Sequence, residues 1–198
     1  MTENESYQLL KEVLSNFELV SLLSDEELNR SIPFFQFKKL KKGEFLCKEG
    51  LKCNKIFIVK SGVLRSFYNY EGEELTTYFN IENTFATALR SYLKEIPATE
   101  NIQAITDAEV VFITKEEMNR LYDEVPTWNK IGRIVMEHLY VKMEERSISL
   151  QNNSAKERYL EFMKEFPGVV NRIPLQYIAS FLGIAPETLS RIRKSIFK

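Results

Sequence analysis

Between Phe35 and Ile113 short apolar runs alternate with Gly, Asn and Lys/Glu turns, and no other feature narrows the fold as much. The runs are Phe45-Leu46-Cys47, Lys55 to Val59, Val63 to Tyr70, Leu75 to Phe79, Ile102 to Ile105 and Glu109 to Ile113. Many of their residues are β-branched or aromatic, the types that suit a pleated surface. Strands this short and this closely spaced predict a sandwich or barrel rather than βαβ units. Gly43, Gly50, Gly62 and Gly72 fall at the breaks, where a positive φ costs least for glycine. Glu71-Gly72 between Tyr70 and Glu73 reads as a hairpin turn.

Helical patterns flank this stretch. Leu9, Leu10, Val13, Leu14 and Phe17 recur at helical spacing. Ser24 with Glu27 reads as a capping box that starts a short helix through Leu28 and Ile32, stopped by Pro33. Thr114 with Glu117 is a second box, leading into Met118 and Leu121. From Pro126 a long helix is predicted to about Leu150. Gly132, Met136, Leu139, Met143, Arg146 and Leu150 follow the 4-3 rhythm of a coiled-coil seam. Ile131, Ile134, Val135, Val141 and Ile148 add a second apolar face. A helix apolar on two faces needs two partners, here its own barrel and a second copy of the chain. Gln151 to Ser154 is a polar break with Ser154 as N-cap, and Ala155 to Phe166 continues as an amphipathic helix ending at Pro167-Gly168.

Charge is divided unevenly. Up to Leu150 there are 19 Lys and Arg against 24 Asp and Glu; from Gln151 there are 8 against 4. A basic end on an acidic body suggests a local polyanion site. The segment from Ile173 to Lys194 supplies one. Pro174 suits a first helical position, and Ile178, Ala179 and Leu182 would line an inner face. Gly183 would end that helix in the left-handed region. Pro186 opens a second helix, with Leu189 and Ile192 pointing back to the core. Two short helices crossing through a glycine turn are the helix-turn-helix layout. The outer face of the second carries Glu187, Thr188, Ser190, Arg191 and Lys194. In a major groove Glu187 can accept from cytosine N4 and Arg191 can grip guanine O6 and N7, while Thr188, Ser190 and Lys194 suit phosphates.

The rest of the sequence narrows the function by what it lacks. One histidine, His138, and two cysteines, Cys47 and Cys53, argue against zinc sites, His-based catalysis and a disulfide scaffold. This removes a metal-dependent cupin-like enzyme, which would need several His ligands. No P-loop, GxGxxG or catalytic triad pattern is present. No apolar stretch approaches the ~18 residues of a membrane span, and the polar, acidic start is unlike a signal peptide, so a cytoplasmic chain without membrane contact is expected.

The whole chain resembles the CRP/FNR family of bacterial transcription regulators. The resemblance rests on the rhythm Lys42-Gly43-Glu44-Phe45, Glu49-Gly50, Ile56 to Val63 and Glu71-Gly72, and on Gly183 to Lys194. It implies an α+β chain with three parts. Residues 1–125 would form a cyclic-nucleotide-binding-like sensor, a double-stranded β-helix or jelly-roll with flanking helices. Residues 126–150 would form a dimerisation helix with its seam at Gly132, Met136, Leu139, Met143 and Leu150. Residues 151–198 would form a helix-turn-helix domain, and the end at Lys198 leaves little room for a wing. It places base reading on Glu187 and Arg191 and a phosphate contact on Thr188. Pro186 stands where the best-known member has an Arg, so a different half-site is expected. The expected partners are a second copy of the chain, double-stranded DNA with a near-palindromic site and, in activation, RNA polymerase; a module acting on a protein partner is the alternative. The effector pocket departs from the family. Members that bind cyclic AMP carry Gly-Glu and, about ten residues on, Arg-Ser/Thr. The matching stretch, with Thr87, Ala88, Leu89 and Arg90 followed by Ala98 and Thr99, lacks both the ribose-holding Glu and the phosphate-pairing Arg. A buried anion without its counter-charge is strongly disfavoured, so cyclic-nucleotide binding in the usual mode is not expected. No cofactor is expected either: two cysteines cannot hold a four-Cys cluster. An unidentified small-molecule effector is left open.

Overall fold

The computed structural model describes residues 3–16 and 18–196. Among the described residues, eight strands form two antiparallel four-stranded sheets. The strands are β1 (Gln36–Leu40), β2 (Phe45–Cys47), β3 (Lys55–Ser61), β4 (Leu64–Tyr70), β5 (Glu73–Asn80), β6 (Phe85–Ala86), β7 (Asn101–Ala104) and β8 (Ala108–Thr114). One sheet runs β1-β8-β3-β6 and the other β2-β7-β4-β5. Strands β3 and β8 are apolar at consecutive positions because both of their faces are buried. Phe57, Val59, Val110 and Phe112 point between the sheets, where they meet Leu40, Leu64 and Ile102. Ile56, Ile58, Val111 and Ile113 point outward, as the two-residue period of a strand requires.

The outward face is covered by helices. Helix α1 (Glu3–Asn16) brings Leu9, Leu10, Val13 and Leu14; Phe17 lies outside the described residues. Helix α2 (Asp25–Ser31) brings Leu28 and has the predicted Ser24–Glu27 box. Pro33 does not end this helix directly; it sits inside a single 3-10 turn, Ile32–Phe34, that follows it. A proline tolerates the early positions of such a turn because its missing N–H would be unpaired there. The short α3 (Leu89–Lys94) follows β6, and α4 (Lys115–Glu124) starts from the Thr114 cap.

Helix α5 runs from Thr127 to Asn152, so Gln151 and Asn152 of the expected polar break are helical. Its first turns belong to the roll: Trp128 and Ile131 are buried, and the Trp128 Nε1–H donates to Ser31 Oγ at 2.7 Å. Ile134 and Val135 pack on the same core, but Val141 and Ile148 are exposed. Of the expected seam, Met136, Met143 and Leu150 are exposed and Leu139 is half-buried. Two positions of the 4-3 stripe are engaged within the chain instead. A Cβ on Gly132 would lie 2.8 Å from the Tyr122 hydroxyl, so the glycine makes room for the α4 side chain. Arg146 lays its guanidinium 3.9 Å from the Phe181 ring centroid and donates to the Phe181 carbonyl.

Three helices complete the chain: α6 (Ala155–Glu165), α7 (Leu175–Leu182) and α8 (Pro186–Ile196). Helix α6 starts at the Ser154–Glu157 capping box. This unit does not stand apart from the roll. Val63, Phe79 and Ile105 of the roll share one core with Tyr159, Phe162, Phe166, Phe181 and Leu189.

Candidate nucleic-acid interface

The helix-turn-helix forms from α7 and α8 for reasons that are local. Pro174 is the N-cap rather than the first helical residue, with ψ at 135°, and Leu175 opens α7. Ile178, Ala179 and Leu182 are fully buried, and Ala179 lets the next helix cross closely. Gly183 closes α7 at φ +64°, ψ +40°. The Ile184 N–H then reaches back to the Ala179 carbonyl at 3.0 Å, the bond that seals a helix turning through a left-handed residue. Pro186 starts α8, and Leu189 is buried with Ile192 packed behind it.

Arginines satisfy the carbonyls left open at the end of α7. Arg158 Nε donates to the Leu182 carbonyl at 2.9 Å and its Nη1 to the Asn153 carbonyl at 2.6 Å. Arg146 takes the Phe181 carbonyl. Cations at a helix C-terminus also meet the negative end of its dipole. Periodicity missed Arg158 and took Arg146 only as a position of the 4-3 stripe, because it reads apolar stripes and is blind to charged side chains that turn inward.

The outer face of α8 is open. Glu187, Ser190, Arg191 and Lys194 are exposed and Thr188 is half-buried. The Arg191 Nη2–H donates to Thr188 Oγ1 at 3.2 Å, which leaves the rest of the guanidinium fork facing outward. All five expected side chains lie on this one helix, with Glu187 in its first turn and Arg193 and Lys194 in its last.

The expected effector stretch is differently built. Ala88 and Ala98 are buried methyl groups in the core between the sheets. The Thr87 hydroxyl donates to the Lys55 carbonyl at 2.9 Å, and Leu89 opens α3. Arg90 and Thr99 are exposed, both beside Tyr68 of the β4–β5 hairpin. The half-buried carboxyl of Glu100 faces the same region; burial, and then the charge of Cys53, push it up to about 7. The cysteines Cys47 and Cys53 are buried and free. They interact as a pair, each shifted first by the other, Cys47 upward and Cys53 downward. Among the described residues no group of His, Cys, Asp and Glu is arranged to hold a metal ion, and no helix is long and apolar enough to cross a membrane.

Comparison with known proteins agrees with this organisation. Residues 37–125 match the family described as cyclic nucleotide-binding domain. The chain is 26% identical over 180 residues to the transcriptional activator protein Anr of Pseudomonas aeruginosa, covering 85% of this chain and 70% of that protein. It is 27% identical over 167 residues to the transcriptional activator protein FnrA of Stutzerimonas stutzeri, covering 78% and 68%. In fold it is similar to FixK2 from Bradyrhizobium japonicum, with a TM-score of 0.69 at 18% identity over 82% of this chain and 84% of that one. With a roll that matches the cyclic nucleotide-binding domain, a long helix and a terminal helix-turn-helix in one chain, and with relatives along most of its length, this protein is similar in sequence and fold to regulators of the CRP/FNR type.

Proposed function

We propose that the chain is a homodimeric, sequence-specific DNA-binding transcription regulator in the cytoplasm. The observation that carries this reading is the face of α8: Glu187, Ser190, Arg191 and Lys194 point outward from a helix held by Leu189 and the Gly183 turn. Two copies paired through the exposed part of α5 would present two such helices, which suits a near-palindromic site with half-sites one helical turn, ~34 Å, apart. Met136, Tyr140, Met143 and Leu150 supply the apolar surface for that pairing. Contact with RNA polymerase would then serve activation, as the names of the relatives suggest.

The roll acts as a sensor for something other than a cyclic nucleotide held in the usual way, or as a scaffold alone. Buried Ala88 and Ala98 offer neither a hydroxyl acceptor nor a cation, and the Glu100 carboxyl nearby opposes an anion once ionised. Selection of bound fragments from a genomic DNA pool, followed by a shift assay on the selected duplex, tests the function. A palindrome-like consensus whose binding is lost in Arg191→Ala supports it. Binding that is equally tight to any duplex, or none, overturns it.

A further inference from the structure

Arg65 is the second residue of β4, with 0% of its surface exposed, and the roll alone does not account for it. Its guanidinium is stacked between two rings, 3.9 Å from the centroid of Phe67 and 3.7 Å from that of Tyr177. Phe67 belongs to the same strand. Tyr177 belongs to α7, in the helix-turn-helix. The ion pair of Arg65 is with Glu74 on β5, while its Nε and Nη1 have no acceptor among the described residues.

The same place holds a second fastener. Strand β5 is an edge of its sheet, and an edge strand presents unpaired backbone groups. The Thr76 N–H donates to Ser180 Oγ at 2.9 Å, and the Ser180 hydroxyl donates to the Glu74 carbonyl at 3.0 Å. Ser180 thus stands in for a missing strand. Helix α7 is laid along β5, with Phe181 packed 5.4 Å from Phe79.

We infer that Arg65 is a positioning residue for DNA reading: with Tyr177 and Ser180 it clamps the helix-turn-helix to the roll's edge strand and so sets where α8 stands relative to the dimer helix. This rests on the DNA-reading function proposed above. A buried cation is costly unless stacked and paired. Undocking removes the Tyr177 ring but returns one face of the guanidinium to water, so the lost contact is offset by hydration. An aliphatic side chain would have no such offset. The clamp, beside the core shared by Phe79 and Phe181, holds each reading helix in a fixed place. Two heads so held engage two half-sites at a high effective concentration, and loosening them lowers that concentration without touching either reading face.

The test uses full-length protein and two duplexes, the near-palindromic site selected by the wild type and a version with one half-site scrambled. Tyr177→Ala is expected to weaken full-site binding by about tenfold or more and leave half-site binding within about twofold. Tyr177→Phe, which keeps the ring, is expected to match the wild type. Ser180→Ala, a milder change, is expected to speed hydrogen exchange at the Thr76 amide while the Ile102 and Ser66 amides hold. Full-site binding by Tyr177→Ala equal to or tighter than wild type overturns the positioning role, as does an equal fall on both duplexes. Unchanged exchange at Thr76 in Ser180→Ala removes the clamp itself. Wild-type protein that binds neither duplex removes the DNA-reading function, and the exchange measurement still reports on the clamp.

Discussion

Arg172 of the C-terminal unit holds Glu82 of the roll through two bonds, Nη1 to Oε2 at 3.1 Å and Nη2 to Oε1 at 2.7 Å. Glu82 also accepts the Gly62 N–H at 3.0 Å, so one carboxylate ties a tight turn of the roll to the helical unit. Burial pushes this carboxyl up, but the Arg172 hydrogen bonds, the Gly62 amide and the Arg172 charge together hold it below the usual carboxylate range.

A lowered pKa in the folded state gives stability that is present above the unfolded value and lost as pH falls through the folded one. The Glu82 contribution should therefore be full at neutral pH and fade in acid, below the ordinary carboxylate value of ~4.3. Both partners are more than a third exposed, so solvent screening keeps the pair to about 0.2–1 kcal/mol. Urea midpoints measured across this range should show Glu82→Gln less stable at pH 7 and nearly equal to wild type near pH 3.

The reading face should separate into two kinds of residue. Arg191→Ala is expected to cost ~1–3 kcal/mol on the selected site and to relax the preference at one base pair. Lys194→Ala should weaken all duplexes alike and reduce the slope of log affinity against log salt by about one. Titrations of matched and single-mismatch duplexes at several salt concentrations distinguish them.

Gly62 and Gly183 both need a positive φ, yet replacing them should have unequal effects. At Gly183 an added Cβ meets only Leu150 Cδ2 at 3.7 Å, so Gly183→Ala carries the left-handed strain alone, about 1–2 kcal/mol. At Gly62 the Cβ would fall 2.5 Å from the Asp107 carbonyl oxygen and 2.6 Å from Ala108 Cα. Neither can move without breaking the β3–β8 pairing. Gly62→Ala should unfold the roll, seen as loss of a cooperative thermal transition, while Gly183→Ala should keep one at lower temperature.

Met143 is 66% exposed and Tyr140 71% on α5. Met143→Asp should break the pairing of two copies and leave the fold of each intact. Sedimentation should then report a monomer with an unchanged circular dichroism spectrum, and full-site DNA binding should fall to the half-site level.

The sequence made some elements legible and hid others. The capping box at Ser24, the N-cap at Ser154 and the turn at Gly183 act within four or five residues, and each is found as read, whereas at Thr114 only one half of the expected box forms, the Glu117 N–H donating to the Thr114 side chain. Strand β6 and helix α3 were not legible: β6 has only Phe85 and Ala86, and α3 opens at Leu89 after Ala88, which offers no side-chain cap. The face of α8 was readable because its polar residues sit opposite Leu189 and Ile192 on one short helix. The coiled-coil rhythm of α5 was readable too, but it could not say that Gly132 is small to admit Tyr122 or that Arg146 turns toward Phe181.

Local chemistry in the chain determined the strands, the caps and the helix-turn-helix, because periodicity and turn preference are settled among near neighbours. Only the tertiary structure decided that the helix-turn-helix would be fastened to the roll's edge. That choice joins Thr76 to Ser180 across 104 positions and places Arg65 against Tyr177. A hydroxyl or a guanidinium carries no sign of its distant partner: which exposed edge needs a donor, and which ring stands free to stack, follows only when the sheets have closed and left β5 as the open strand.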